Sequence, residues 1–217
     1  KVDLSSVLGI RRRPRGLLIT LVVNWLVKPF SMTLFGWLFF KNVFLPLIGP
    51  EAADQYVAGV IILAAAPCTA MVFVWSYLTD GDPAYTLVQV SVNDLIMLLL
   101  FAPLVTFLVR GASTLPVPFM ILLYAVIFFI VIPLGAGSIT RTFLIRVRGR
   151  QWFEERFLPP FHPLTVLPLL ATLVLIFAFQ AENITTKLFH VILIALPILL
   201  QAYFNSSPTY GLMALFR

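Results

Sequence analysis

Pro67 and Cys68 sit at the centre of an uncharged run, Val57–Leu78 (VAGVIILAAAPCTAMVFVWSYL), and Cys68 is the only cysteine in the chain. A proline at that point removes a backbone donor and disfavours helical geometry in the residue before it, so the sequence predicts a helix broken at 66–69. The backbone groups freed at such a break must be met by protein or by a water-filled cavity, because lipid offers them nothing. Unwound carbonyls, N–H groups of the half-helix that follows, the Thr69 hydroxyl and the soft sulfur of Cys68 would converge there. That combination is what a transport site for a soft solute would need. A lone cysteine more often serves as a small buried apolar residue, and the Pro67-Cys68-Thr69 sequence at an expected helix break reverses that preference. About eleven residues separate Cys68 from either end of the run, a depth of roughly 16 Å at the helical rise.

Three further polar features fall inside apolar runs. Asp94 stands about ten residues into Ala84–Val109, and a carboxylate at that depth costs about 2.5–3.5 kcal/mol unless a partner or a cavity receives it. Gln89 and Asn93, four apart, share one helix face, and Ser91 and Asp94 line the next. The two amides can bind solute oxygens or hydrogen-bond to a neighbouring helix. Lys28 stands about eleven residues into the first run, just before Pro29. Lys28 and Asp94 are expected at similar depth, as an ion pair or sharing a proton; the alternative is that Lys28 snorkels to an interface. His162 and His190 lie near run ends and read as interfacial. No His/Cys/Asp/Glu spacing matches a metal site, and there is no phosphate-cradling Gly-Lys loop, G-x-S-x-G or H-E-x-x-H. The expectation is no enzyme, no cofactor and no metal.

The elements that must position these groups follow from composition. Of 217 residues, 60% are hydrophobic and 11% charged, against about 25% charged in soluble domains, and the mean hydropathy is +1.00. The fold class is all-α integral membrane. Six apolar windows fit spans: Leu17–Phe40, Val57–Leu78, Ala84–Val109, Val117–Thr140, Phe161–Ala181 and Leu188–Phe204. A seventh begins near Thr209 and stops at Arg217, so the sequence reads as part of a longer chain. Basic residues cluster at 1–16 and 141–156. An even number of crossings separates the clusters, so both face the cytoplasm by the positive-inside rule. Links expected on the other face, Lys41–Tyr56, Arg110–Pro116 and Ala181–Lys187, are poor in Lys and Arg; the short links Thr79–Pro83 and Asn205–Pro208 return to the cytoplasmic side. The net charge of +6 therefore reports topology in a cell (plasma) membrane and contact with lipid, not nucleic-acid binding. The segment Arg110–Pro118 divides the chain into halves, 1–110 and 111–217, of the inverted-repeat kind. The first carries the break at 66–69, and the second ends in the start of a further broken helix.

The segment Ala64–Pro103 (AAAPCTAMVFVWSYLTDGDPAYTLVQVSVNDLIMLLLFAP) closely resembles the arsenite efflux permeases of the arsenical-resistance type, within the bile acid/sodium symporter superfamily. The run Asn24-Trp25-Leu26-Val27-Lys28-Pro29-Phe30, the basic segment after the fourth window and LPILLQAYFN (Leu196–Asn205) are similar as well. The resemblance implies a helical bundle of two inverted five-helix repeats with the fourth and ninth helices broken. This chain would run from about the third helix to the start of the ninth. It implies Cys68 as the thiol required for transport, and export of arsenite or antimonite driven by membrane potential or by proton exchange, as in an antiporter. Thr69, Asn93 and Gln89 are the further solute-binding candidates, and Asp94 and Lys28 the proton-coupling ones. Two alternatives remain: a sodium-coupled symporter of bile acid-like organic anions, and a membrane scaffold that transports nothing.

Overall fold

In the computed structural model, the described residues are 14–66, 71–115 and 118–215. Every regular element among them is helical. We label them α1 (Arg15–Val43), α2 (Leu45–Ala65), α3 (Val72–Leu78), α4 (Pro83–Ala112), α5 (Phe119–Arg148), α6 (Phe161–Thr186) and α7 (Leu188–Leu215). Among the described residues, α1, α2, α4, α5 and α7 are long and apolar enough to cross a bilayer, and α6 contains the apolar stretch Leu170–Thr186. Their outer faces carry exposed Leu, Phe and Ile, such as Leu99, Phe107, Phe129 and Phe179. Acyl chains can cover such surface where water cannot, and the chain is a multi-pass membrane protein.

Prolines write much of the local geometry. Wide π turns occupy Val23–Val27, Phe39–Val43, Ile127–Val131 and Phe153–Phe157. Each precedes a proline by two or three residues: Pro29, Pro46, Pro133 and Pro159. In an α-helix the proline ring strikes the carbonyl four residues back. Those carbonyls belong to Trp25, Asn42, Phe129 and Glu155, each inside a π turn. Opening the turn to an i→i−5 bond, as in Lys28 N–H to Val23 O and Leu158 N–H to Phe153 O at 3.0 Å, relieves the clash; the helix runs on through Pro29 and Pro133, and it ends at Val43 and Phe157 ahead of Pro46 and Pro159. In α2 the solution differs. Gly49, at φ 78° and ψ 164°, kinks the chain just before Pro50, a geometry that glycine alone adopts without strain.

Two compact units form. The first comprises Lys1–Leu123 with Leu193–Arg217, and the second Tyr124–Ile192. In the first, Ala53, Val57 and Ile61 of α2 recur every four residues, as do Val105 and Val109 of α4, and all five are fully buried. Gly36 of α1 lets α2 approach closely, since a Cβ there would lie 2.9 Å from a Val60 methyl. The α1–α2 corner is filled by Phe40, Phe44 and Tyr56, with ring centroids 5.6–6.1 Å apart. At one end Lys41 pairs with Asp54 of α2, whose carboxylate also accepts from Thr114 N–H (3.1 Å) and Thr114 Oγ1 (2.8 Å) beyond α4. At the other end the α3–α4 turn closes through Gly81 N–H to Ser76 O (2.7 Å) and Thr86 Oγ1 to Ser76 Oγ (2.7 Å). In the second unit, Gly149 at φ 83° ends α5. Arg148 lies 4.6 Å over the Trp152 ring, and Arg150 pairs with Glu154.

Several sequence expectations change. The expected link Lys41–Tyr56 is mostly helical, because Asp54 has Lys41, Ser113 and Thr114 as partners and needs no water. The expected basic loop at 141–156 is helical as well, except at Gly149. The link Ala181–Lys187 contracts to the single residue Lys187, between α6 and α7. The link Asn205–Pro208 does not form, since α7 continues to Leu215 through Pro197 and Pro208.

Candidate functional site

Helix α2 ends at Ala65, and Ala66 turns to extended geometry at φ −89° and ψ 119°, as a residue before proline prefers. Pro67, Cys68 and Thr69 lie outside the described residues. Beyond them α3 runs for only seven residues. The stretch from Pro50 to Ala65 rises about 24 Å and α3 about 10 Å, so the break divides this path unequally.

Lys28 reaches this break. Its Nζ donates to the carbonyl of Ala66 at 3.3 Å. The α1 backbone at this point is fixed from the other side by Gln201 of α7, whose Nε2 donates to Lys28 O at 2.8 Å and to Ser31 Oγ at 3.1 Å. Ser31 Oγ in turn donates to Val27 O at 2.6 Å. Gln201 is only 6% exposed, and its Oε1 is buried without a partner. Lys28 O can only accept, so Nε2 must face it and Oε1 must face away.

Helices α1 and α4 run parallel and are joined by a polar ladder with one rung per turn. Tyr85 closes against Gly16. Thr20 Oγ1 donates to Gln89 Oε1 at 2.6 Å, and Gln89 Nε2 donates to Tyr85 OH at 3.1 Å. Asn93 Oδ1 accepts from Trp25 Nε1 at 3.0 Å and from Asn24 Nδ2 at 3.3 Å, while Asn93 Nδ2 donates to Gln89 O at 2.8 Å. Partners are 68 or 69 residues apart at every rung. Asn93 and Trp25 are 5% and 6% exposed, so these bonds form away from solvent.

The ladder explains what becomes of the expected Lys28–Asp94 pair. Asp94 follows Asn93 by one residue, about 100° further round α4. With Asn93 turned to Asn24 and Trp25, the half-buried Asp94 carboxylate is turned elsewhere. The ion pairs among the described residues are Lys41–Asp54 and Arg150–Glu154, and the structure does not bring Lys28 and Asp94 into one. Lys28 belongs with the break, Gln89 and Asn93 with the α1–α4 seam. Sequence reasoning missed three contributors. Thr20 and Asn24 stand four apart, matching the spacing of Gln89 and Asn93, and that matched stripe was a legible signal. Gln201 had a weaker one, as a lone amide in an apolar helix.

The model of the sodium bile acid symporter family matches residues 1–187. Among curated proteins, the arsenical-resistance protein Acr3 of Alkaliphilus metalliredigens is 47% identical over 97% of this chain and 59% of its own length. An uncharacterized transporter of Synechocystis sp., slr0944, is 41% identical over 98% of this chain and 57% of its own. The arsenical-resistance protein Acr3 of Corynebacterium glutamicum is 32% identical over 84% and 49%. The chain thus spans about half the length of the curated relatives it matches. No solved structure matches it. With a family match over most of its residues, this chain belongs to the sodium bile acid symporter family.

Proposed function

We propose that this chain forms part of a secondary carrier that exports trivalent arsenic, as arsenite or antimonite, from the cytoplasm. The observation that carries the reading is the interruption of α2 at Ala66, two residues before the only cysteine, in a chain similar to two arsenical-resistance proteins. Arsenite at neutral pH is a small uncharged hydroxide that binds thiols. One sulfur holds it reversibly, whereas three thiolates would trap it. Cys68 is the metalloid ligand in this reading, and Thr69 offers a hydroxyl to its oxygens. Asn93 and Gln89 act one step removed, by fixing α1 against α4 so that Lys28 meets the break. Asp94, in mid-span on α4, is the group that exchanges a proton when export is coupled to a pH gradient; membrane potential is the other driving force. The basic segments 1–16 and 141–156 face the cytoplasm, and the membrane is the plasma membrane. Halves 1–110 and 111–217 derive from two inverted repeats, and transport follows from one bundle rocking against another.

The test is arsenite resistance in a sensitive host expressing the full-length protein, wild type against Cys68→Ser. The expected result is loss of resistance at unchanged membrane abundance. Equal resistance would remove the thiol from the mechanism.

A further inference from the structure

Helix α7 carries two amides on its inward side. Gln201 and Asn205 stand four residues apart, on one face, while Ala202, Tyr203 and Phe204 between them are exposed. The ends of α7, Leu188 and Leu215, each lie about 20 Å from Gln201 at the helical rise, which puts the pair at mid-membrane depth. Gln201 Oε1 and Asn205 Oδ1 are both buried, and neither has a hydrogen-bond partner among the described residues. We propose that these two oxygens form a binding site for the hydroxyl groups of a small uncharged solute. The proposal rests on the carrier reading above and deepens it, by naming the chemical feature of the solute that this face of α7 recognises.

The amide oxygens of α4 show what a packing role looks like in the same unit. Gln89 Oε1 accepts from Thr20 Oγ1 at 2.6 Å, and Asn93 Oδ1 accepts from Trp25 Nε1 at 3.0 Å. Amides that join helices are satisfied in this way. The α7 pair is not, and a buried acceptor without a donor is a cost that the packing around it does not return.

The pair is also aimed. Gln201 Nε2 is held by Lys28 O at 2.8 Å and Ser31 Oγ at 3.1 Å, so Oε1 faces away from these α1 groups, on a residue only 6% exposed. One turn on, the hydrogen bond at Asn205 runs from Thr209 Oγ1 to its backbone carbonyl and leaves Oδ1 uncommitted. Between the two, Phe204 packs edge-on against Phe35 of α1, with ring centroids 5.5 Å apart, and fixes the rotation of α7 at this turn.

The chemistry of the pair selects its ligand. Both oxygens can only accept. A carboxylate or a fully ionised phosphate has no proton to give them. A hydroxyl donates and brings no charge, so it needs no counter-charge at a depth where charges are costly. Two acceptors one turn apart suit a compact molecule with at least two hydroxyls, each bonded at about 2.7 Å. Arsenite has three.

The experiment measures equilibrium binding and thermal unfolding of the purified full-length protein in lipid nanodiscs. Arsenite, with three hydroxyls, is compared with dimethylarsinous acid, which has one. Asn205→Leu removes one acceptor and keeps an apolar shape of similar size. It is expected to unfold no earlier than the wild type, to bind arsenite about fivefold more weakly, and to bind dimethylarsinous acid unchanged, since one hydroxyl needs only Gln201. Adding Gln201→Met is expected to weaken arsenite about fivefold further and to weaken dimethylarsinous acid for the first time. Unchanged arsenite affinity in Asn205→Leu overturns the proposal. So does an Asn205→Leu protein that unfolds earlier or fails to accumulate, because its amide then serves the fold of the full-length protein. Equal weakening of both compounds by Asn205→Leu overturns it as well. A wild type that binds neither compound overturns the arsenic reading and this assignment together, whereas wild type and variant that bind both alike overturn this assignment alone.

Discussion

Replacing Asn93 by Leu decides whether that amide holds helices together or holds solute. The side chain makes three hydrogen bonds, two accepted by Oδ1 from Trp25 and Asn24 and one donated to Gln89 O. Inter-helix hydrogen bonds within membranes contribute about 0.6 kcal/mol each on average, with a maximum near 1.7. The bond to Gln89 O lies within α4, so the two inter-helix bonds amount to about 1 kcal/mol. The leucine also strands the Trp25 indole N–H, on a residue 6% exposed, and an orphaned buried donor adds about 1–3 kcal/mol. The expected loss is therefore about 2–4 kcal/mol. Trp25→Phe removes the stranded donor, so the double variant should lose less than the sum of the singles, with a coupling of at least about 0.5 kcal/mol. Reversible unfolding in mixed micelles measures the stability. Arsenite quenching of tryptophan fluorescence, in variants that remain folded, measures binding. Unchanged stability together with lost binding would show that Asn93 faces solute, and the ladder would then be the wrong account of its role.

Two other outcomes follow from the same geometry. Asp54→Asn removes the charge that pairs with Lys41 while keeping a shape able to bond with Thr114; Asp54→Ala removes both. Breaking a fully buried pair from one side costs about 3–5 kcal/mol; this pair is partly buried, so the loss falls below that range, and Asp54→Ala should lower membrane abundance more than Asp54→Asn. Equal abundance of all three proteins would mean that this end of the bundle does not depend on the clamp. Asp94→Asn should abolish the response of arsenite export to an imposed pH gradient in everted vesicles while leaving solute binding intact; an unaltered response removes the proton role from Asp94.

Local chemistry was legible and long-range pairing was not. The break before Pro67 could be read because a proline constrains its own neighbours, and Ala66 adopts the geometry that constraint demands. Gln89 and Asn93 could be placed on one face of α4 by spacing alone. That this face meets Thr20 and Asn24 is a fact about packing, and nothing within either helix states the 69-residue offset. Asp54 misled for a different reason. A charge between apolar runs reads as a link in water, yet Lys41, Ser113 and Thr114 reach it from both sides of the sequence and allow a helix there.

Lys28 shows the limit most clearly. The reasoning that a charge at membrane depth needs a partner was sound, and it searched the side chains for one of opposite sign. Asp94, at matching depth, was the only candidate such a search could return. A backbone carbonyl at a helix break is also a partner for an ammonium, and it leaves no mark in the residue types. Gln201 repeats the lesson from the other side, since its bond is to Lys28 O and not to the lysine side chain. In a bilayer, where every freed carbonyl must find a donor, prolines therefore do more than bend helices. Where α2 ends at Ala65, Ala66 supplies the acceptor that Lys28 finds, and the widening of α1 ahead of Pro29 turns Lys28 toward it. The helix end before Pro67 and the widened turn before Pro29 act together, one supplying the acceptor and the other aiming the donor.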